Sequence, residues 1–129
     1  MFTHIVIGSN DLDRSQRFYD ATFSAAGYPT GQVDPKGRIV YAKEGFRLLV
    51  TRPINGEPAS FANGGTIGML MASPEAIKGW HDAGIANGGT STEDPPGVRE
   101  TATSKSYLAY LRDPDGNKLC AVYRYPREN

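Results

Sequence analysis

Few side chains in this sequence carry chemistry by themselves: two histidines, His4 and His81, one cysteine, Cys120, and a close pair of carboxylates, Asp113 and Asp115. Histidine serves as an acid, a base or a metal ligand. A thiolate is a nucleophile or a soft ligand, and paired carboxylates divide acid and base roles between them. The surroundings of each decide what it does. Asp113-Pro114-Asp115-Gly116-Asn117 is turn chemistry, in which aspartate oxygens accept from nearby backbone N–H groups, so both carboxylates read as structural. Cys120 sits in a strand-like run with no assignable histidine partner and reads as a small buried apolar group. Gly64-Gly65 and Gly88-Gly89 lack the spacing of a phosphate-cradling loop.

The elements that position these residues recur. His4-Ile5 lies over Thr66-Ile67, Phe18-Tyr19-Asp20-Ala21 over Trp80-His81-Asp82-Ala83, Gly27 over Gly89, and Gly45-Phe46-Arg47-Leu48-Leu49-Val50 over Gly116-Asn117-Lys118-Leu119-Cys120-Ala121. Two copies of one module are a duplication, not a solenoid. Phe2 to Gly8 predicts a strand on which His4 and Val6 face one way and Ile5 and Ile7 the other. Asn10 or Asp11 caps a helix that runs to Gly27. A weak strand over 28–33, a strand over 38–42 and another over 46–51 follow, giving β-α-β-β-β. The second copy repeats it: a strand over 66–72, a helix opened by Ser73-Pro74 with Ile77, Trp80, His81 and Ile85 on one stripe, an irregular strand within 90–106, and strands over 107–112 and 119–125 about the Asp-Gly turn. The expected boundaries are one domain over 1–129, with modules at 1–53 and 64–129 and a linker at 54–63. Ile5, Ile7, Ile67, Met69 and Met71 are expected to pack on Phe18, Phe23, Trp80 and Ile85.

Composition excludes several classes. Fourteen basic and fourteen acidic residues cancel over 129 positions, so nothing draws the chain to a nucleic acid or a membrane surface. No apolar run is long enough to span a bilayer. Met1 leads directly into a strand-like run, with no signal peptide pattern. A lone cysteine excludes an internal disulfide and suits a reducing cytoplasm, which is the expected location.

His4 on the first strand, Asp11-Leu12-Asp13-Arg14-Ser15 with Phe18-Tyr19, the Gly88-Gly89 stop and Arg112-Asp113-Pro114-Asp115-Gly116-Asn117 together resemble the vicinal oxygen chelate superfamily, which includes glyoxalases, bleomycin resistance proteins and extradiol dioxygenases. The resemblance spans nearly the whole chain. It implies an α+β fold of two βαβββ modules whose mixed sheet forms an open cup with helices on its outer face. It also implies a divalent metal held from the first and last strands of each module, at positions that become His4, Leu49, Thr66 and Cys120 here. Leu49 has no donor atom, Thr66 offers a neutral hydroxyl, and Cys120 is soft where hard metals prefer carboxylates. No metal or other cofactor is therefore expected, His4 and Cys120 being the only candidate ligands unless a residue from elsewhere, such as Glu100, contributes. The layout places His81 on a helix away from the cup, in a structural role.

The function implied is the binding of a small molecule in the cup. By alternation the lining includes Val6, Arg47, Gly68 and Lys118 beside His4, Leu49, Thr66 and Cys120, with the repeat-equivalent Arg47 and Lys118 meeting an anionic group on an apolar or aromatic ligand. The alternatives are a metal-dependent enzyme, a glyoxalase-like lyase or an extradiol-type dioxygenase, and a non-catalytic interaction domain. A homodimer is expected, since such cups are often completed across chains.

Overall fold

In the computed structural model, which describes residues 1–127, the β-branched run after Thr3 forms β1 (His4–Gly8), and α1 (Leu12–Ala25) follows. Asp11 caps this helix, its carboxylate accepting from the Arg14 N–H at 3.1 Å. Gly27, at φ 84°, ends it in the left-handed region open to glycine. Then come β2 (Gln32–Val33), β3 (Ile39–Lys43) and β4 (Phe46–Thr51). The second copy gives β5 (Ile67–Leu70), α2 (Pro74–Ala86) capped by Ser73, β6 (Thr90–Ser91), β7 (Gly97–Glu100), β8 (Lys105–Arg112) and β9 (Lys118–Arg124).

Two segments differ from expectation. The strand predicted from Tyr28 shrinks to Gln32–Val33, because Pro29 has no N–H to give a ladder and its neighbours bond elsewhere: Tyr28 N–H to the Phe23 carbonyl at 2.8 Å and Gly31 N–H to Asp20 at 3.0 Å. The stretch read as one irregular strand holds two, β6 and β7, both antiparallel to β8 and separated by a segment containing Pro95-Pro96.

Each module forms a mixed sheet in which the first strand runs parallel to the last: β1 beside β4 in the order β1-β4-β3-β2, and β5 beside β9 in the order β5-β9-β8-β6, with β7 also on β8. The fold is α+β, with the helices packed against each other and against one face of the sheets. Phe18, Tyr19, Phe23, Ile77 and Trp80 meet Tyr41, Leu48, Val50, Leu111 and Leu119 in one apolar cluster, and Ile5, Ile7, Ile67 and Met69 pack on it. Met71 is buried, and His4 and Val6 are exposed on the opposite face, which is the predicted alternation. Ile85 departs from the prediction and lies in solvent, because Gly84 takes the interior position. A Cβ at Gly84 would collide with a Leu111 methyl and stand 3.3 Å from the Phe18 ring, so a side chain there requires Leu111 to move. No helix among the described residues is long and apolar enough to cross a membrane.

The turn between β8 and β9 fastens one module to the other. Asp113 accepts from the Tyr19 hydroxyl at 2.6 Å, the Asn117 amide at 2.8 Å, and the Asp115 and Asn117 backbone N–H groups at 2.9 Å each. Asp115 accepts from Asn10 N–H at 2.9 Å, Arg14 at 3.0 Å and the Ser15 hydroxyl at 3.2 Å. The turn contacts follow from its composition; the bonds to α1 do not.

The candidate ligand face and a neighbouring cavity

Alternation along β4 puts Leu48 and Val50 in the core, so Arg47 and Leu49 face away from the helices. Register sets His4 beside Arg47 and Val6 beside Leu49, which brings four of the expected residues together on the first sheet. His4 shares a hydrogen bond of 2.8 Å with the Thr3 hydroxyl through Nδ1. Arg47 is exposed and has no ion-pair partner among the described residues, whereas Leu49 is buried.

On the second sheet Leu119 and Ala121 enter the core, leaving Lys118 and Cys120 on the far face, with Gly68 in register with Cys120. Thr66 lies just ahead of β5. Lys118 pairs with Glu93 and its Nζ sits 5.1 Å from the Tyr110 ring centroid. Tyr110 is the cross-strand neighbour of Cys120, whose thiol donates to the Ala121 carbonyl at 3.9 Å. Burial pushes the Cys120 thiol up from its ordinary value, an effect the neighbouring Tyr110 hydroxyl opposes, so the group rests as a neutral thiol and not as a nucleophilic thiolate. Tyr110, Glu93 and Arg99 are additions the sequence pattern did not supply, though Tyr110 was recoverable as the cross-strand partner of Cys120.

The two groups lie on different sheets, and those sheets share no strand pair among the described residues. β1 and β5 each keep one free edge. His81 lies on α2 and bonds the Ser91 hydroxyl at 2.9 Å through Nε2. Burial lowers its pKa from the ordinary value, against the opposing pull of Asp82. No group of three or more His, Cys, Asp or Glu side chains among the described residues is placed to hold a metal ion.

Beside β1 and β5 lies an apolar cavity of about 470 Å³, bordered on the first sheet by helix-side residues and at β5 by residues of both faces. Ile5, Tyr41, Leu48 and Met69 form much of its wall, and of the eight expected residues only Thr66 and Gly68 border it. Its aromatic lining was legible in part, since Phe23 was placed in the core, but nothing in the pattern announced that the packing there would be incomplete.

No protein-family model matches the chain, and no curated protein does either. Solved structures do. A glyoxalase/bleomycin resistance protein from Albidiferax ferrireducens shares 49% identity at a TM-score of 0.91, over 96% of this chain and 99% of that one. A glyoxalase/bleomycin resistance protein/dioxygenase family enzyme from Burkholderia phytofirmans matches at TM-score 0.69 and 16% identity, over 95% of this chain and 98% of that one. A lactoylglutathione lyase from Agrobacterium tumefaciens matches at TM-score 0.64 and 20% identity, over 95% and 92% respectively. The last two share the fold; the first carries more.

Proposed function

We propose, since the chain belongs to the glyoxalase/bleomycin resistance protein family of the vicinal oxygen chelate superfamily, that it binds a small apolar or aromatic molecule with an anionic group on the open sheet faces. The observation that carries this reading is the placement of Arg47 and Lys118, repeat-equivalent cations that both face away from the helices on the last strand of their module. Val6, Leu49 and Tyr110 supply apolar and aromatic surface beside them, and a few polar anchors in apolar walls suit a small-molecule site. Guanidinium meets a carboxylate through two parallel hydrogen bonds, so Arg47, free of an ion pair among the described residues, is the stronger anchor. Lys118 is already neutralised by Glu93 and contributes less.

In this reading the inherited metal positions no longer serve a metal. Leu49 brings only carbon, Thr66 a neutral hydroxyl and Cys120 a buried neutral thiol, a donor set that does not fit a divalent ion seeking three good protein ligands. The reading also includes a cytoplasmic setting and a homodimer. An unpaired strand edge is a template for another strand, and β1 of one copy beside β5 of a second would unite the Arg47 half-site with the Lys118 half-site. Light scattering should then give twice the 14.0 kDa chain mass, and a monomer at every concentration would remove the dimer.

Titration with naphthoate, an aromatic carboxylate, tests the site. Arg47→Ala is expected to weaken binding about 10- to 100-fold, the loss of a charge-assisted hydrogen-bond pair of roughly 1.5–3 kcal/mol. Lys118→Ala should weaken it less. Unchanged affinity in both variants would remove the reading.

A further inference from the structure

On the first sheet the cavity lies on the helix side, since Ile5 and Leu48 line it while their neighbours His4 and Leu49 face the other way; at β5 both faces border it, Ile67 and Met69 from one and Thr66, Gly68 and Leu70 from the other. We propose that this cavity is a second small-molecule site and that it takes a neutral aromatic ligand.

Its size, about 470 Å³, falls within the range of roughly 300–1,000 Å³ in which pockets bury most of a small organic ligand. Five aromatic side chains, Phe2, Phe23, Tyr28, Tyr41 and Phe46, border it. Phe23 and Tyr41 meet with ring centroids 4.9 Å apart, and Phe23 and Tyr28 at 5.8 Å with planes 64° apart, so ring edges and faces both border the space. Phe46 stands at the rim, partly in solvent. Edges and faces in combination favour a flat π-system, whose own edge and face find complementary partners.

The charge pattern selects a neutral ligand. Of the lining residues only Lys43 and Glu44 are charged, and they are of opposite sign. Lys43 Nζ is already seated 4.2 Å above the Tyr28 ring, and Glu44 lies near enough to Tyr28 to help hold its hydroxyl protonated, behind the larger effect of burial. Adjacent opposite charges leave no net field to attract an ion, and an ionised group entering the apolar interior would lose hydration without a partner. The tyrosine hydroxyls of the walls are also engaged: Tyr41 donates to Asp20 at 2.7 Å and Tyr28 to the Leu70 carbonyl. Apart from the Thr66 hydroxyl, what remains open is mainly apolar area.

The test uses N-phenylnaphthylamine, a neutral probe that brightens in apolar surroundings, and its anionic relative anilinonaphthalene sulfonate, on the full chain. On Arg47→Ala, in which the open-face anion anchor is gone, the neutral probe is expected to bind saturably, one per chain, and about ten-fold or more tighter than the sulfonate. Met69→Trp, which fills the cavity, should abolish the signal, Phe46→Ala should weaken it several-fold, and Arg47→Ala, on the far face, should leave it unchanged. If Met69→Trp misfolds, Phe46→Ala at unchanged melting temperature decides. Equal or tighter sulfonate binding in Arg47→Ala, wild-type affinity in the folded cavity variants, or loss of neutral-probe binding in Arg47→Ala would overturn the proposal. Affinity that falls as the protein is concentrated into dimer would assign the cavity to a second copy and overturn it as well.

Discussion

Replacing Asp113 with alanine is expected to cost about 3–5 kcal/mol of stability, the largest effect of any single substitution outside the apolar core. The Asp113 carboxylate is 4% exposed and receives four hydrogen bonds, one from the fully buried Tyr19. Its removal orphans those donors at the junction of the modules, at roughly 1–3 kcal/mol for each that finds no water. Melting should fall by about 10–20 °C. Tyr19→Phe, which deletes one donor, should cost only about 1 kcal/mol. Burial holds the Asp113 carboxyl above its ordinary range, against the opposing pull of its donors. A folded pKa above the unfolded one means the native state binds the proton more tightly, so this group's contribution declines as pH rises through the window between the two values and is flat above it. Asp113→Asn should remove that slope from urea melts taken across acidic pH. Equal melting of the wild type and Asp113→Ala would show that the junction is held by something else.

The second large effect is on binding. Gly68→Trp is expected to leave stability within about 0.5 kcal/mol, as an exposed substitution, while weakening naphthoate binding about a hundred-fold, roughly 2.7 kcal/mol. A Cβ added at Gly68 meets nothing within 4 Å, and its φ is outside the left-handed region, so the backbone accepts a side chain. That side chain would stand on the open face in register with Cys120, over the space the ligand is proposed to use. Binding at wild-type strength in a folded Gly68→Trp protein would move the ligand elsewhere.

The strand and helix order was readable because the apolar period and the caps agree. Asp11, Ser73-Pro74, Gly27 and Gly88 bound the helices in the sequence and in the structure alike, and the alternation of Ile5 and Ile7 with His4 and Val6 set the buried face correctly. Failures arose where a contact distant in sequence overrode a local signal. Ile85 fits the helical stripe, but the closeness of Leu111 and Phe18 gives the interior to Gly84. The sequence around Asp113 and Asp115 signals only local turn bonds, whereas their bonds to Tyr19, Arg14 and Asn10 depend on how the modules pack. The strand pattern buries Cys120, yet the Tyr110, Lys118 and Glu93 cluster beside it rests on strand register and on a loop whose Glu93 adopts φ 55°. The cavity is a gap in packing, and gaps leave no periodicity.

The central claim is anionic-ligand binding on the open faces without a metal at the inherited positions, and it is tested most directly by measuring metal content and affinity on the same protein. Elemental analysis of the purified chain should find divalent metal well below one per chain. Naphthoate should bind with the same dissociation constant before and after dialysis against chelator, and in His4→Ala with only modest weakening. A near-equimolar ion that is lost with His4→Ala, together with binding that disappears on chelation and returns with the metal, would contradict the account and establish His4 as part of a metal centre.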